Sequence, residues 1–556
     1  MIPPTIITVI QFLVIIFLLY LTTVDVSQGW GDGELWMSAA MPVLMIIATL
    51  MYVVNRQKLR LAAIDMLVAL WLIEVNVLAY TGHGTTVESA LIIFNMSLLI
   101  YIALRIIFSY NHINGNLLAW GIIGVGTYQC VLGFSQLVDG VSRHAFYPLT
   151  GSFLNPGPYS AILAMGLAGI MGLREKGKYV FILSSFMLIV LASTWSRAGL
   201  VAVFIVAAIA YRKYWLSHIK IIIPLLVVMA IGMYMFKQGS AEGRLLMWIV
   251  SLKCILAAPI LGNGIGSFSK SYGNALPDYF TSNPESSFLA VADVTDNAYN
   301  EFLTLGVEQG LVVMLLVLSL MTFVLFRLNK ENKPLAYMLV ALLVFSSFSY
   351  PFHCQPYRVV LIMICAWAAS QSSKYSLKVG KGVMILFSVI IIFISLGIYK
   401  EVDARVRATK DYNLISGIES RYVLDDYYEL LPYMNDNHRF LFDFAKGLSA
   451  EERYNDSNDM LRRAMNVSHD PMLFVCMGNN YKKMDLSAEA ERCYLKAYNM
   501  LPNRLYPLYR LMLLNYDNGN ITKAKEYAKM LINLKPKVKS FATDEMKNEA
   551  KKIIIE

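Results

Sequence analysis

The chain has 556 residues, 57% of them apolar and only 16% charged, and its mean hydropathy is +0.51. Soluble globular chains carry about 25% charged residues, so these proportions exclude a wholly soluble protein and call for lipid as solvent. Six Cys in this length also exclude a secreted disulfide scaffold.

The net charge of +9 is unevenly placed. Residues 401–556 hold 24 Lys/Arg against 23 Asp/Glu, whereas the first 400 hold 24 against 16. The tail therefore reads as soluble and nearly neutral, and the positive excess lies in the apolar part. Apolar stretches occur near 6–24, 37–54, 61–80, 89–108, 117–138, 158–173, 179–195, 198–211, 219–236, 303–326, 335–350, 358–372 and 382–399. A bilayer core takes roughly 20 apolar residues per helix, so these predict an all-α polytopic bundle of about thirteen transmembrane helices.

Basic residues cluster in every second loop: Arg56, Lys58 and Arg60; Arg174, Lys176 and Lys178; Arg212, Lys213 and Lys220; Arg327, Lys330 and Lys333; Lys374, Lys378 and Lys381. The 109–116 loop is weakly basic, supported by Arg105, and the 25–36 and 81–88 loops carry no Lys or Arg. Positive loops stay cytoplasmic. The N-terminus is expected in the cytoplasm and everything after residue 400 outside it. The +9 thus orients the protein in the membrane, and no nucleic-acid partner is expected. The first stretch lacks a basic leader and a small-x-small cleavage site, so it reads as a retained helix. Asp65 and Glu74 share the third span, and Glu74 is expected to be a hydrogen-bonded structural carboxylate.

Four patches on the extracytoplasmic side carry polar and charged residues. They are Gly151-Ser-Phe-Leu-Asn155-Pro-Gly-Pro-Tyr159; Ser193-Thr-Trp-Ser196-Arg197-Ala-Gly199; Gly243-Arg244 with Trp248 and Pro259-Ile-Leu-Gly262-Asn-Gly264-Ile-Gly266-Ser-Phe268; and Asp293-Val-Thr-Asp296-Asn-Ala-Tyr299-Asn300-Glu301, leading to Glu308-Gln-Gly310. The Gly-x-Gly-x-Gly run resembles a phosphate loop only superficially, lacking the Lys-Ser/Thr and a preceding strand. An Arg so near hydrocarbon is a functional candidate unless paired or wet.

Residues 471–504 resemble the tetratricopeptide pattern through Gly478, Tyr481, Ala490, Tyr494, Ala497 and Pro502. Ala524 and Pro536 repeat the pattern 34 residues later, and a degenerate unit covers 437–470. The predicted organisation is a membrane domain over 1–400 with an external loop at about 237–302, linker helices over 401–436, and helical repeats over 437–556. Such repeats either bind a periplasmic protein in a concave groove or only brace the membrane part. Cys476 and Cys493 lie on successive helices, and spacing alone does not fix whether they pair.

In order along residues 150–312, the four patches resemble the bacterial O-antigen ligase superfamily, which includes O-antigen polymerases and protein O-oligosaccharyltransferases. The resemblance implies a GT-C-like bundle in the bacterial inner membrane, among membrane lipids, with no metal and no cofactor. It implies transfer of a glycan from an undecaprenyl-diphosphate carrier to a hydroxyl on lipid A–core, on a glycan or on a protein. Diphosphate binding carries over to Arg197 and Arg244, because guanidinium is always charged and bidentate toward phosphate. Asn155, Trp248 and Asn300 carry over as loop or acceptor-side residues. The family His falls on Tyr299, a poor base at its ordinary pKa of about 10. That leaves Tyr299 to position the acceptor, and Asp293, Asp296, Glu301 and His353 as alternative bases. A transporter would need inverted repeats, which the sequence does not display. A non-catalytic scaffold would be indifferent to loss of either Arg.

Overall fold

The computed structural model describes residues 2–24, 29–55, 59–110, 113–142, 144, 146–173, 177–224, 232, 235, 238–371, 375–377, 379–536 and 539–555. Twelve of the predicted apolar stretches fall on helices: Pro4–Leu21, Asp32–Asn55, Ala63–Tyr80, Glu88–Ile107, Gly115–Asp139, Pro156–Gly172, Lys178–Ser193, Arg197–Ala210, Glu301–Glu331, Lys333–Ser346, Gln355–Ser370 and Lys381–Ile415. The ninth, 219–236, lies largely outside the described residues, as do Arg56, Lys58, Arg174, Lys176, Lys374 and Lys378. Seven described helices are long and apolar enough to cross a membrane, and Lys178–Ser193, Arg197–Ala210 and Lys333–Ser346 are shorter apolar ones. The chain is an all-α polytopic membrane protein.

Local sequence sets the helix starts. Asn155 and Asn332 each cap a following helix that has Pro in its first turn, where a missing N–H costs nothing. The helix Pro156–Gly172 is buried without a break from Pro158 to Ile170, as expected of a helix apolar on every side. It packs between Gly115–Asp139, Lys333–Ser346 and Arg197–Ala210 and forms the centre of the bundle.

The loops fall into two touching sets that follow the alternation of basic residues. On one face, Ile2 N donates to Asn55 Oδ1 (3.0 Å) and Asn332 Nδ2 to Asn116 Oδ1 (2.8 Å). There, too, Leu59–Leu61 pairs antiparallel with Tyr375–Leu377, a short ladder that the all-helical expectation did not contain. On the other face, Thr85 N donates to Asn263 O (2.7 Å), and Lys410 pairs with Asp32 (2.7 Å). Arg105 is buried against Asp65 at 2.9 Å, and Tyr101 donates to the same carboxylate, so the positive charge expected to support the 109–116 loop is neutralised. Glu74 departs from its expected role: both of its carboxylate oxygens are buried with no hydrogen-bond partner among the described residues.

The predicted boundary at residue 400 is not a break. Lys381–Ile415 is one continuous helix of 35 residues, roughly 50 Å at 1.5 Å per residue, against about 30 Å of hydrocarbon. Its polar end carries the soluble part rigidly out of the bundle. Arg405, almost fully buried, ties this end down by pairing with Glu88 (2.7 Å), Glu401 (2.7 Å) and Asp436 (3.1 Å).

Beyond it, helices run antiparallel in pairs, and the starts at Pro471 and Leu505, and at Ser487 and Ile521, lie 34 residues apart. Small residues make the close approach: a Cβ on Gly478 would sit 2.5 Å from the Tyr494 ring. Ala490, Ala497, Ala524 and Ala528 are fully buried. Cys476 and Cys493 are not bonded to each other. The repeats rest on the segment of the membrane part that precedes the helix Glu301–Glu331. Asn503 Nδ2 donates to Leu289 O (2.8 Å) and Ala292 O (3.2 Å), and Arg504 pairs with Asp293 (2.7 Å).

Candidate active site

Three segments come together on the face where the repeats dock. The first is the turn before the helix Arg197–Ala210. Trp195 adopts φ +53, and Ser196 Oγ accepts from Gly199 N (3.4 Å), which starts the helix at Arg197. Arg197 Nη2 donates to Ser240 Oγ (3.0 Å), joining this turn to the helix Gln238–Ala257, which carries Arg244 and, one turn on, Trp248.

The second segment leads into the helix Glu301–Glu331. Trp248 Nε1 donates to Ala298 O (3.1 Å), Ala298 N to Thr304 Oγ1 (3.1 Å) and Tyr299 N to Asn297 Oδ1 (3.0 Å). These bonds hold Tyr299 at φ +50, a conformation that bulky residues adopt only where their surroundings impose it. Asn300 Oδ1 then accepts from Phe302 N (3.0 Å) and Leu303 N (3.1 Å) as the helix cap.

The third segment is the turn Pro351–His353. The Glu301 carboxylate accepts from Phe352 N (2.6 Å) and lies 3.6 Å from His353 Nδ1. Arg358 donates to Phe352 O (2.9 Å) and to the Glu34 carboxylate, which clamps the turn from its other side.

The side chains form a continuous wall. The Arg244 guanidinium lies 5.3 Å from the centre of the Tyr299 ring, a cation–π geometry. Tyr299 meets Tyr350 edge-on at 5.2 Å, and Tyr350 meets His353 at 6.3 Å. Burial, and after it the charge of Arg197, hold Arg244 below its ordinary pKa. Its charged and titratable neighbours among the described residues are Arg197, Tyr299 and Tyr350, with no carboxylate. Burial raises the Tyr299 phenol, partly offset by Arg244. Burial works to lower His353, but the Glu301 carboxylate outweighs it, so the imidazole titrates above its ordinary value. The imidazole still keeps 42% of its side-chain surface exposed.

Of the residues singled out by sequence, Arg197, Arg244, Tyr299, Glu301 and His353 thus come together. Trp248 and Asn300 stand behind them and fix the backbone that presents Tyr299. Asp296 is exposed and turns toward His438 of the repeats, although its charge still acts on Tyr299. Asn155 caps its own helix by accepting from Gly157 N (2.8 Å). Tyr350 and Arg358 were not among the sequence candidates. An Arg inside an apolar stretch was the signal for Arg358; Tyr350 had only its neighbour His353 to point to it.

The glycine run is a packing device whose remaining N–H groups turn inward: the Glu308 carboxylate accepts from Gly266 N and from Phe268 N (3.4 Å). Gly264 N donates to Glu308 O (2.7 Å) and Asn263 N to Val307 O (3.0 Å), so these N–H groups are occupied. Gly264 has φ +101, and a Cβ there would fall 2.3 Å from Thr85 O. Gly310, at φ +77 and ψ 177, breaks the helix Glu301–Glu331 and brings its backbone against Ile260. Gly264→Ala is therefore expected to destabilise the protein by at least ~1–3 kcal/mol, the cost of a strained backbone position. Thermal unfolding in detergent checks this, and an unchanged melting temperature would contradict it.

Residues 160–318 match the protein family described as O-Antigen ligase. The matched stretch includes Arg197, Arg244, Trp248, Tyr299, Asn300 and Glu301, while Asn155 and His353 lie outside it. No curated protein matches the chain.

Proposed function

Taking as premise the match of residues 160–318 to the O-antigen ligase family, we propose that this site transfers a glycan from undecaprenyl diphosphate to an acceptor hydroxyl on the periplasmic face of the inner membrane. The observation that carries this reading is Arg244: a largely buried guanidinium beside Arg197, with no carboxylate to neutralise it among the described residues. An unneutralised buried charge is costly, and an anionic ligand that accepts bidentate hydrogen bonds relieves that cost.

In the proposed step the acceptor oxygen attacks the anomeric carbon of the donor sugar. The bond from that carbon to the diphosphate oxygen breaks, and its electron pair leaves with undecaprenyl diphosphate. Arg197 and Arg244 stabilise the charge that develops on the departing oxygen. The hydroxyl proton goes to His353, which Glu301 orients and holds at a raised pKa. Tyr299 and Tyr350 form the aromatic floor. The two guanidiniums supply the positive charge that a metal ion supplies in other transferases. The helical repeats, read as tetratricopeptide units, stand on the same periplasmic side.

The test is reconstitution of the full chain in liposomes with an undecaprenyl-diphosphate oligosaccharide, EDTA, and lipid A–core, a polysaccharide or a Ser/Thr peptide in separate reactions. Transfer to one acceptor is expected and names it; transfer to none would overturn the proposal. A pH profile tests the base. A base works in its neutral form, so kcat/KM should rise as pH climbs through the His353 pKa, above the ordinary value of about 6.5. Glu301→Gln removes the charge that raises this pKa. The acid limb should move to lower pH, and an unmoved limb would exclude His353 as the base.

A further inference from the structure

A cavity of about 410 Å³ lies between the Asp293–Asp296 stretch and the repeat domain. Its wall includes Thr295, Asp296, Tyr412, His438, Phe442 and Ser468. The volume falls in the ~300–1,000 Å³ range of small-molecule sites. Ser468 is 1% exposed, and its Oγ has no hydrogen-bond partner among the described residues.

The wall combines planar hydrogen-bonding groups with aromatic faces. That mixture suits a sugar, whose hydroxyls donate and accept at its edges while its C–H face rests on a ring. Much of the acidity is already neutralised: Asp293 pairs with Arg504 (2.7 Å), and Asp443 pairs with Lys446 (3.1 Å) while accepting from the Tyr412 hydroxyl (2.8 Å). Arg439 adds a positive charge to the wall. Asp296 and Asp470 stand on the wall against Arg439, a small negative balance, and carboxylates and guanidinium alike can hydrogen-bond the hydroxyls of an uncharged glycan. Asp296 lines the cavity three residues before Tyr299.

We propose that this cavity is a carbohydrate subsite, holding a stretch of glycan beyond the sugar that reacts. It rests on the glycan-transfer reading given above, and the helical repeats thereby help to select or retain the chain that the membrane part transfers. The glycan comes from either the donor or the acceptor.

Full-length protein in detergent would be applied to an array of bacterial oligosaccharides free of lipid and diphosphate. Binding is expected for the wild type and for Arg244→Ala, and at least tenfold weaker binding for His438→Ala and Phe442→Ala. Thr295→Trp, which fills the cavity from the membrane side, serves if the repeat variants fail to fold. Binding unchanged in all cavity variants, binding lost only in Arg244→Ala, or capture of basic peptides with no oligosaccharide would each overturn the proposal. The array contains no donor, so glycan binding without any transfer activity would sink the transferase reading alone. In the transfer assay, a raised KM for the lipid-linked oligosaccharide identifies the donor as occupant, and a raised KM for the acceptor identifies the acceptor.

Discussion

Replacing Arg244 by Ala should lower kcat for glycan transfer by roughly 100- to 1,000-fold, the range for deleting one preorganised charge-stabilising group, with no loss of folded protein. Arg244 makes no ion pair among the described residues whose removal would strand a partner; its stacking neighbour Tyr299 is held independently by Asn297 and Trp248. Removing it also relieves repulsion with Arg197. The thermal transition should therefore stay put or rise slightly while turnover collapses. Arg244→Lys keeps the charge but not the fork, so it should recover only part of the rate. Arg197→Ala should behave similarly, with an added cost from its bond to Ser240. Full turnover by Arg244→Ala in the reconstituted assay would remove the diphosphate role and favour a scaffold.

The second large effect concerns stability. Arg405→Ala should destabilise the docked arrangement by ~3–5 kcal/mol, the range for breaking a buried ion pair by removing one partner. The lower end is expected, because Glu88 and Glu401 keep 59% and 40% of their side-chain surface in water and can be solvated. Asp436, only 10% exposed, is the carboxylate left stranded. It also accepts from Ser89 N (2.7 Å), so its loss of compensation reaches the start of the helix Glu88–Ile107. Limited proteolysis over residues 416–437 and a thermal melt would report the release of the repeats. Arg407→Ala, whose guanidinium is 74% exposed beside Asp403, is the control; exposed pairs are worth ~0–1 kcal/mol. Equal melting of the two variants would show that Arg405 anchors nothing.

Local patterns made much of this protein legible before any fold was known. Apolar stretches near the thickness of a bilayer fall on helices because a helix satisfies every backbone group within itself. Asn155 and Asn300, expected as loop or acceptor-side residues, and Asn332 cap helices through partners two or three residues on. The 34-residue spacing of Ala490 with Ala524 marked a packed pair of helices, since only small residues allow that approach. Arg197 and Arg244 stood out because charge is scarce near hydrocarbon. These are short-range or one-dimensional signals, and a single sequence carries them.

What the sequence could not order was the set of long-range partners. Tyr299 and His353 are 54 positions apart, and only the return of the chain through Tyr350 puts them on one wall. Sequence left Tyr299, Asp296, Glu301 and His353 as alternatives. The tertiary structure separates them, sending Asp296 toward the repeats and setting the Glu301 carboxylate 3.6 Å from the imidazole. It also turned the glycine run into a backbone packing seam, made Arg405 an anchor and opened the cavity beneath the repeats. Each depends on where distant segments meet, because the charge or hydrogen-bond vacancy of a side chain is decided by what the fold brings beside it. The sequence by itself determined a multi-pass helical membrane protein with a stretch over residues 150–312 that resembles the O-antigen ligase superfamily. The tertiary structure alone decided which of its charged groups are paired and which distant side chains share one site.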